Sequence, residues 1–299
     1  MTNAISIILN SHIVNIDRLI FDLQKQSVAL DIIVVDVDNH MRNVWKNVKV
    51  VKNDMPGCAY SSNHLGLCAA NQPVSLVIDS CVEFKSFAWI PMAIDYLQQN
   101  PKNVICPVYV ANKGSCGNKL YGGTLSILKQ RPGGIQIFDI QWNREKPINN
   151  FITCSMGKAY VVTTDWHRKI GSWTGIKGLD AMANAVSFSL KARLAGGEIS
   201  ICNEWEAKCD IMGTPAVPYL ESQDVYNIMR SAWVLFPSKM SMSIHMLLSN
   251  YEGFLEASNA FVSDYQELVF EKNNFWNACK RDPRQAMKHA NIDLGIPLL

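Results

Sequence analysis

No two cysteines of this chain stand at CxxC spacing. That excludes the usual zinc-ribbon arrangement. There are nine of them, an odd number, scattered from Cys58 to Cys279. Such a count argues against a disulfide framework and for small buried hydrophobes in a reducing compartment. No Walker loop, GxSxG, HExxH or GxGxxG occurs, so the common motif routes to function are closed. No apolar run approaches the ~18 residues of a membrane span. Met1 to Leu9 has no basic segment of the secretory kind. A soluble, cytoplasmic protein is the expectation. A net charge of +2 gives no general basic field for nucleic acid. What is present is a chain of 299 residues, 48% hydrophobic and 18% charged. That is enough for one large domain or two modest ones with an ordinary core, and it excludes disorder as the dominant state.

The first hundred residues alternate in period. Ala4–Leu9, Asp31–Asp36, Val48–Val51, Val74–Asp79 and Asn103–Val108 are short apolar or β-branched runs of strand type. Asn15–Lys25, Asn63–Ala70 and Pro91–Gln99 carry helical spacing between them. Such alternation predicts βαβ units and a mainly parallel sheet. In these sheets ligands sit beyond the carboxyl ends of the strands, where Asp36, Asp38 and Asp79 fall. Gly114–Gly134 is rich in Gly, Lys and Ser and predicts a mobile loop or a hairpin. Phe138–Trp142 and Ala159–Val162 read as strands, Asp165–Ile170 as a short helix and Gly171–Gly178 as a loop. Ala181–Ala195 reads as a helix stopped by Gly196-Gly197. From Gln223 onward the pattern is helical, with two or three helices such as Gln223–Phe236, Met240–Leu268, whole or broken, and Asn273–Ala290. The simplest division is a catalytic domain over 1–222 and a helical C-terminal extension over 223–299 packed on it.

The order of certain short segments resembles a known family. Ser6-Ile7-Ile8-Leu9, then Leu19, Leu23 and Gln26, then Ile32-Ile33-Val34-Val35-Asp36 look like the opening of family-2-type glycosyltransferases of the GT-A fold. Asn53, Gly57-Cys58-Ala59, Asn63-His64 and Gly66 are similar to their "N…G…A…N.G" segment. Asp79-Ser80-Cys81 stands where they carry a DxD or DxH signature. The second half resembles polypeptide N-acetylgalactosaminyltransferases and their bacterial and phage relatives. The matching pieces are Phe138-Asp139 with Trp142, Gly157–Trp173, Phe188–Gly197, and Asn227, Arg230 and Ala232-Trp233. The resemblance covers roughly residues 4–236. It departs from the family at three places. Cys81 replaces the second signature acid or histidine, Cys209-Asp210 stands near an expected histidine, and Asn184-Ala185 replaces an acidic pair.

The resemblance implies an α/β, Rossmann-like, mainly parallel GT-A sheet with a helical annex. It implies transfer of a hexose or pentose from a nucleotide sugar, a UDP-sugar in the first instance, to a hydroxyl acceptor. The expected donor-binding residues are Asp36, Asp38, Asn63, Asp79 and Trp173. Asp79 and Asp180 are the expected catalytic residues, Asp180 as the base of an inverting transfer. A divalent metal, Mn or Mg, would draw on Asp79, Cys81, Cys209 and Asp210. Oxygen suits these ions better than sulfur, which favours the two acids. Structural alternatives stand beside each role. Asp36 and Asn63 could cap neighbouring segments, Cys81 could be a buried apolar residue and Trp173 a loop anchor. Two further readings remain open. One is a phage-type enzyme acting on hydroxymethylated DNA bases, suggested by Lys113, Lys119, Lys129 and Arg131 with Tyr121. The other is a catalytically silent GT-A-like binding protein. The bound partners would be the nucleotide sugar and an acceptor, either saccharide or modified base.

Overall fold

The fold is taken from a computed structural model. It describes residues 4–10, 16–26, 28–36, 45–53, 59–78, 82–84, 86–111, 119–131, 134–156, 159–171, 181–209, 221–279, 285 and 293–294. The chain opens with β1 (Ala4–Asn10), α1 (Ile16–Gln24), β2 (Ala29–Asp36), β3 (Val48–Lys52), α2 (Ala59–Ala69) and β4 (Val74–Ile78). Then come β5 (Val82–Phe84), α3 (Ile90–Gln99), β6 (Val104–Ala111), β7 (Lys119–Leu120), β8 (Gly123–Arg131) and β9 (Gly134–Trp142). A 3-10 turn at Ile148–Asn150 leads into β10 (Phe151–Ile152), β11 (Ala159–Thr163), α4 (Thr164–Lys169), α5 (Ala181–Leu194) and β12 (Ile199–Cys209). The last part is α6 (Ser222–Leu235), α7 (Ser238–Leu248), α8 (Phe254–Ser263), α9 (Tyr265–Cys279) and a short β13 (Asp293–Leu294).

The main sheet has the order β10-β12-β6-β11-β4-β1-β2-β3, with β5 on β12 and β7 on β6. The β3-β2-β1-β4 stretch is parallel throughout. β11 is inserted antiparallel between β4 and β6. The mainly parallel α/β architecture expected from the sequence is therefore the one observed. β1 is buried at all seven positions, as a strand covered on both faces requires. Alternate residues feed two cores: Ile5, Ile7 and Leu9 meet α1 and α3, while Ile8 joins the larger core under α2, α5 and α6–α9. A second, smaller sheet is β13-β8-β9. No helix among the described residues is long and apolar enough to cross a membrane.

Most expected elements are found within a few residues. Other details were left open by the sequence. The segment after Gly197 hides an eleven-residue strand, β12, which carries no regular alternation because its register breaks between Cys202 and Glu206. Of the two readings of Gly114–Gly134, the hairpin is the one observed over Gly123–Gly134. β8 pairs antiparallel with β9, which starts at Gly134 and not at Phe138. Met240–Leu268, read as whole or broken, is divided twice. Gly253 allows the first break, because a Cβ there would lie 2.5 Å from Ser222 Cα, at the start of α6. Asp264 makes the second, accepting a 2.6 Å hydrogen bond from the Tyr226 hydroxyl. α9 lies over Tyr265–Cys279 and so covers the first part of the expected Asn273–Ala290 helix; beyond Cys279 only Gln285 of that span is among the described residues, and it is helical.

A chain of buried charges ties α9 to the sheet domain. Lys191 on α5 donates to Glu271 at 2.9 Å and to the Gly171 carbonyl at 2.8 Å. Glu271 also accepts from Arg230 on α6 at 2.5 Å, and Arg230 reaches Glu267 at 3.0 Å. The Arg230 and Lys191 side chains are only 3% and 6% exposed, so one carboxylate offsets two buried cations. Burial alone would raise the Glu271 pKa. The Lys191 and Arg230 charges more than offset this and hold it below the ordinary carboxylate value. Close to Lys191, His167 is fully buried, with its ring stacked on Phe188 at 5.2 Å and Tyr160 at 6.2 Å. Burial, then the Lys191 and His64 charges, depress its pKa to about 3.

Two outcomes are expected. Glu271→Gln should cost about 3 kcal/mol or more, the scale of leaving buried charge uncompensated. Because the folded Glu271 pKa is depressed, its stabilisation is complete above the unfolded value of ~4.3 and is lost as pH falls below it. Urea unfolding at neutral pH and at pH 3.5 checks both points, since the variant should lack that acid-dependent part. His167 adds a second window. Unfolded, it takes a proton below ~6.5, whereas folded it stays neutral to about pH 3. Stability is therefore complete above ~6.5 and declines as pH falls toward 3, by up to ~1.4 kcal/mol per pH unit. His167→Phe should flatten that slope between pH 6 and 4. An unchanged slope would show that another group is responsible.

Candidate functional site at the carboxyl edge of the sheet

The strand order reverses at β1. The chain moves outward through β2 and β3, then returns along α2 to place β4 on the other side of β1. Connections leaving neighbouring strands in opposite directions open a crevice at their carboxyl ends. The direction of α2 is fixed by its far end. Arg168 donates to the carbonyls of Leu67, Cys68 and Ala70, and Asn71 N–H donates to Ser6 at the start of β1. A cation on the last carbonyls suits the helix dipole. The N-terminal turns of α2 therefore lie toward the crevice.

Four polar residues are buried at this edge. Asn10 ends β1 at 4% exposure, and Asp36 ends β2 at 3%. Asn53, next after β3, is 1% exposed, and its N–H donates to the Asp36 carbonyl at 3.0 Å. Asn63 on α2 is 7% exposed. Its level follows from Gly66, where an added Cβ would lie 2.3 Å from Ile8 Cγ2 and 3.2 Å from Val35 Cγ2. Asn63 is three residues earlier on the same helix face, ~4.5 Å nearer the crevice. That brings it level with the carboxyl end of β1. Strand parity sends Asp36 with Ile32 and Val34 toward α1, and Asn10 with Ile8 toward α2. Along β1 and β2 the buried polar side chains are gathered at this edge, apart from Ser6.

Asp36 and Asn63 are thus brought to one edge. Asn10 was legible only as the amide that ends an apolar run, and spacing did not single it out. Asp38, Asp79, Cys81, Trp173, Asp180 and Asp210 lie outside the described residues, as do the side chain of Cys209 and the residue Lys177. One backbone fact bears on the expected metal ligands. β5 pairs antiparallel with the end of β12, with Cys209 opposite Val82. The residues that adjoin this ladder in sequence are Cys81 before β5 and Asp210 after β12. Among the described residues no three His, Cys, Asp or Glu side chains are grouped to hold a metal. In sequence Asp79 follows β4 and Asp210 follows β12; of the expected ligands, the carboxylate oxygens are the type a hard divalent ion prefers. The thiols suit it poorly.

Several cations of the chain are engaged within the protein. Lys191 is bound to Glu271 and Gly171 and is not free to meet a diphosphate. Arg193 donates to the Ile152 carbonyl at 3.2 Å. Arg230, in the segment similar to "N..R.a.vW", serves the ion-pair chain instead of a ligand. Lys119, in the basic stretch, forms an ion pair with Glu206. His64 on α2 lies 3.5 Å from Cys68 Sγ. Burial, then the Lys191 charge, lowers its pKa.

No protein-family model and no curated protein sequence matches the chain. Solved structures do. GalNAc-T7, crystallised with UDP, GalNAc and Mn2+, superposes with a TM-score of 0.62 at 12% identity. The match covers 100% of this chain and 58% of that one, so the chain spans little more than half of GalNAc-T7. S. aureus TarS, residues 1–349, matches with a TM-score of 0.50 at 14% identity, covering 96% of this chain and 83% of TarS. At such identities the likeness establishes the fold, and the fold is GT-A.

Proposed function

We propose that the chain is a glycosyltransferase that moves a sugar from a uridine-linked nucleotide sugar onto a hydroxyl acceptor. The observation that carries this reading is the buried Asp36, Asn10 and Asn63 at the carboxyl edge of a GT-A sheet, where its strand order reverses. Asp36 would accept from the base or ribose of the donor, with Asp38 beside it in sequence. Asn63 would add an amide contact from α2. Asp79, immediately after β4, and Asp210 would hold a divalent ion, Mg or Mn, together with the donor's diphosphate. That ion, when bound, supplies the positive charge that stabilises the departing diphosphate. Cys81 and Cys209 flank this position as weaker ligands. Trp173 would stack on the donor or acceptor ring. In an inverting transfer Asp180 takes the proton of the acceptor hydroxyl. The pairing of Lys119 with Glu206 removes part of the basic character on which a DNA acceptor would rely, so a saccharide or small hydroxyl acceptor is the better reading.

Two variants test this. Asp36→Asn should weaken UDP binding about tenfold or more with little change in melting temperature, since a charge-assisted hydrogen bond is lost. Calorimetry with UDP and MnCl2 reads it, and equal affinity in the variant would defeat the assignment. Asp79→Asn should lower turnover by roughly 10², the scale of removing an electrostatic stabiliser. The assay is donor hydrolysis or transfer across a panel of UDP-hexoses and UDP-pentoses. A wild-type protein that binds UDP but turns over no donor would be a binding protein instead. Full turnover in excess chelator would assign the diphosphate charge to side chains alone.

A further inference from the structure

Far from the carboxyl edge, two backbone irregularities converge on one cavity of about 350 Å3. The first is in β12. Cys202 pairs with Pro107 and Glu206 with Val108, so Asn203, Glu204 and Trp205 have no partner on β6. Pro107 offers no N–H to the ladder, which explains why the register slips there. Trp205 anchors the bulge by stacking on Trp89 at 3.9 Å between ring centroids, fully buried. Asn203 and Glu204 are left lining the cavity. The second irregularity faces them. Asn149 and Asn150 both adopt left-handed backbone, at φ of 59° and 60°. Two successive residues in that region cost of order 1 kcal/mol each or more and persist where surroundings fix them. Here Asn203 Nδ2 donates to Asn150 Oδ1 at 3.2 Å, joining the two walls. Bulges next to binding sites serve to re-aim side chains.

The lining has a definite chemistry. Tyr96 and Met92 of α3 and Phe151 of β10 supply apolar surface, and Met92 and Phe151 are each 43% exposed. Asn149, Asn150 and Asn203 supply amides, which both donate and accept. Glu204 supplies a carboxylate that only accepts. None of the described residues that line the cavity is Lys, Arg or His. Within this cavity an anionic ligand would meet Glu204 with no lining cation among the described residues to offset it, which disfavours phosphate and nucleotide there; Arg144 and Lys146 line only the adjoining cleft. A sugar ring matches: its C–H face lies on aromatic surface, and its hydroxyls donate to Glu204 and exchange hydrogen bonds with amides. Phe151 also lines a neighbouring open cleft with Trp142 and Asn143, so a second ring has room beside the first.

We propose that this cavity, formed by the β12 bulge and the Asn149-Asn150 turn, is a binding site for a neutral saccharide, separate from the donor edge. Five strand positions separate β10 from β1, ~24 Å at ~4.8 Å per strand. The site does not depend on the transferase reading, because it uses none of the carboxyl-edge residues.

The test is saturation-transfer difference and 15N-shift NMR of the full chain with lactose, maltose, cellobiose and N,N′-diacetylchitobiose. Each is titrated to ~10 mM, where a site with Kd of ~1 mM is about nine-tenths filled. The expected result is saturable binding of at least one disaccharide, with shifts at residues 149–151 and 200–204. Phe151→Ala and Asn203→Ala should each weaken it about tenfold, while UDP affinity and melting temperature stay as in the wild type. Met92→Ala, at a half-exposed position on α3, serves the same purpose if either of those variants fails to fold. Failure of all four sugars to bind, binding that survives the variants, or displacement of the sugar by UDP would overturn the proposal. UDP binding measured alongside reports separately on the donor site.

Discussion

Everything at the carboxyl edge depends on β1 being buried on both faces. A strand in that position has no polar side to show water, so its residues are apolar except where its backbone neighbours supply partners. Ser6 is the internal exception, and its hydroxyl donates to Asp31 at 2.8 Å and accepts from Asn71 and Gln72. That knot fixes the amino end of β1 against β2 and the exit of α2. The far end is then the remaining place where Asn10 and Asp36 can stand. Gly66 sets how closely α2 approaches. With side chains of Ile8 and Val35 where a Cβ would be, the helix lies directly on the strands. Its second turn carries Asn63 to the crevice. Core packing and site geometry are here the same set of contacts.

The second constraint is electrostatic. Lys191, Glu271 and Arg230 are three buried charges shared among α5, α9 and α6. Each is costly alone, and together they are tolerable because every one has a partner. Lys191 also grips the carbonyl of Gly171, a residue at φ of 73° that begins the stretch leading to Trp173 and Asp180. The C-terminal helices are thereby coupled to the entrance of that stretch. Large apolar residues of α6–α9 join the same core as Ile8 and Val35. An Arg230 matched to a family segment thus acts through packing and charge pairing.

Legibility in the sequence followed the regularity of the local pattern. Apolar runs such as Ile32–Val35 and Leu76–Ile78 announce buried strands because both faces are covered and no alternation is needed. Gly196-Gly197 announces a helix end, and Gly196 indeed takes φ of 85°. β12 was not legible, since its bulge shifts the period midway and puts Asn203 and Glu204 in succession where a strand would alternate. The C-terminal helix boundaries were not legible either. Their breaks are set by Gly253 against Ser222 and by Asp264 against Tyr226, partners distant in sequence. At the site, Asp36 stood out because a charge ending an apolar strand is costly away from a mouth. Asn10 did not, because an amide in that place carries no such contrast. The pairing of Lys191 was not legible either. Its partner, Glu271, is eighty residues away and invisible to spacing.

The two polar concavities divide the labour of the sheet between its ends. At the carboxyl edge the parallel strands keep perfect register from Ala4–Ala29 to Asn10–Val35, and the polar groups arise from where regular strands stop. At the β10–β12 margin regularity is broken inside a strand, and the polar groups arise from the break. The first kind of site follows from topology, so it belongs to any chain with this strand order. The second follows from particular residues: Pro107 without a donor, Trp205 stacked on Trp89, and two asparagines tolerant of left-handed backbone. These residues belong to this chain and not to its strand order. A property special to this chain, as opposed to its fold, is therefore more naturally written at the β12 bulge than at the carboxyl edge.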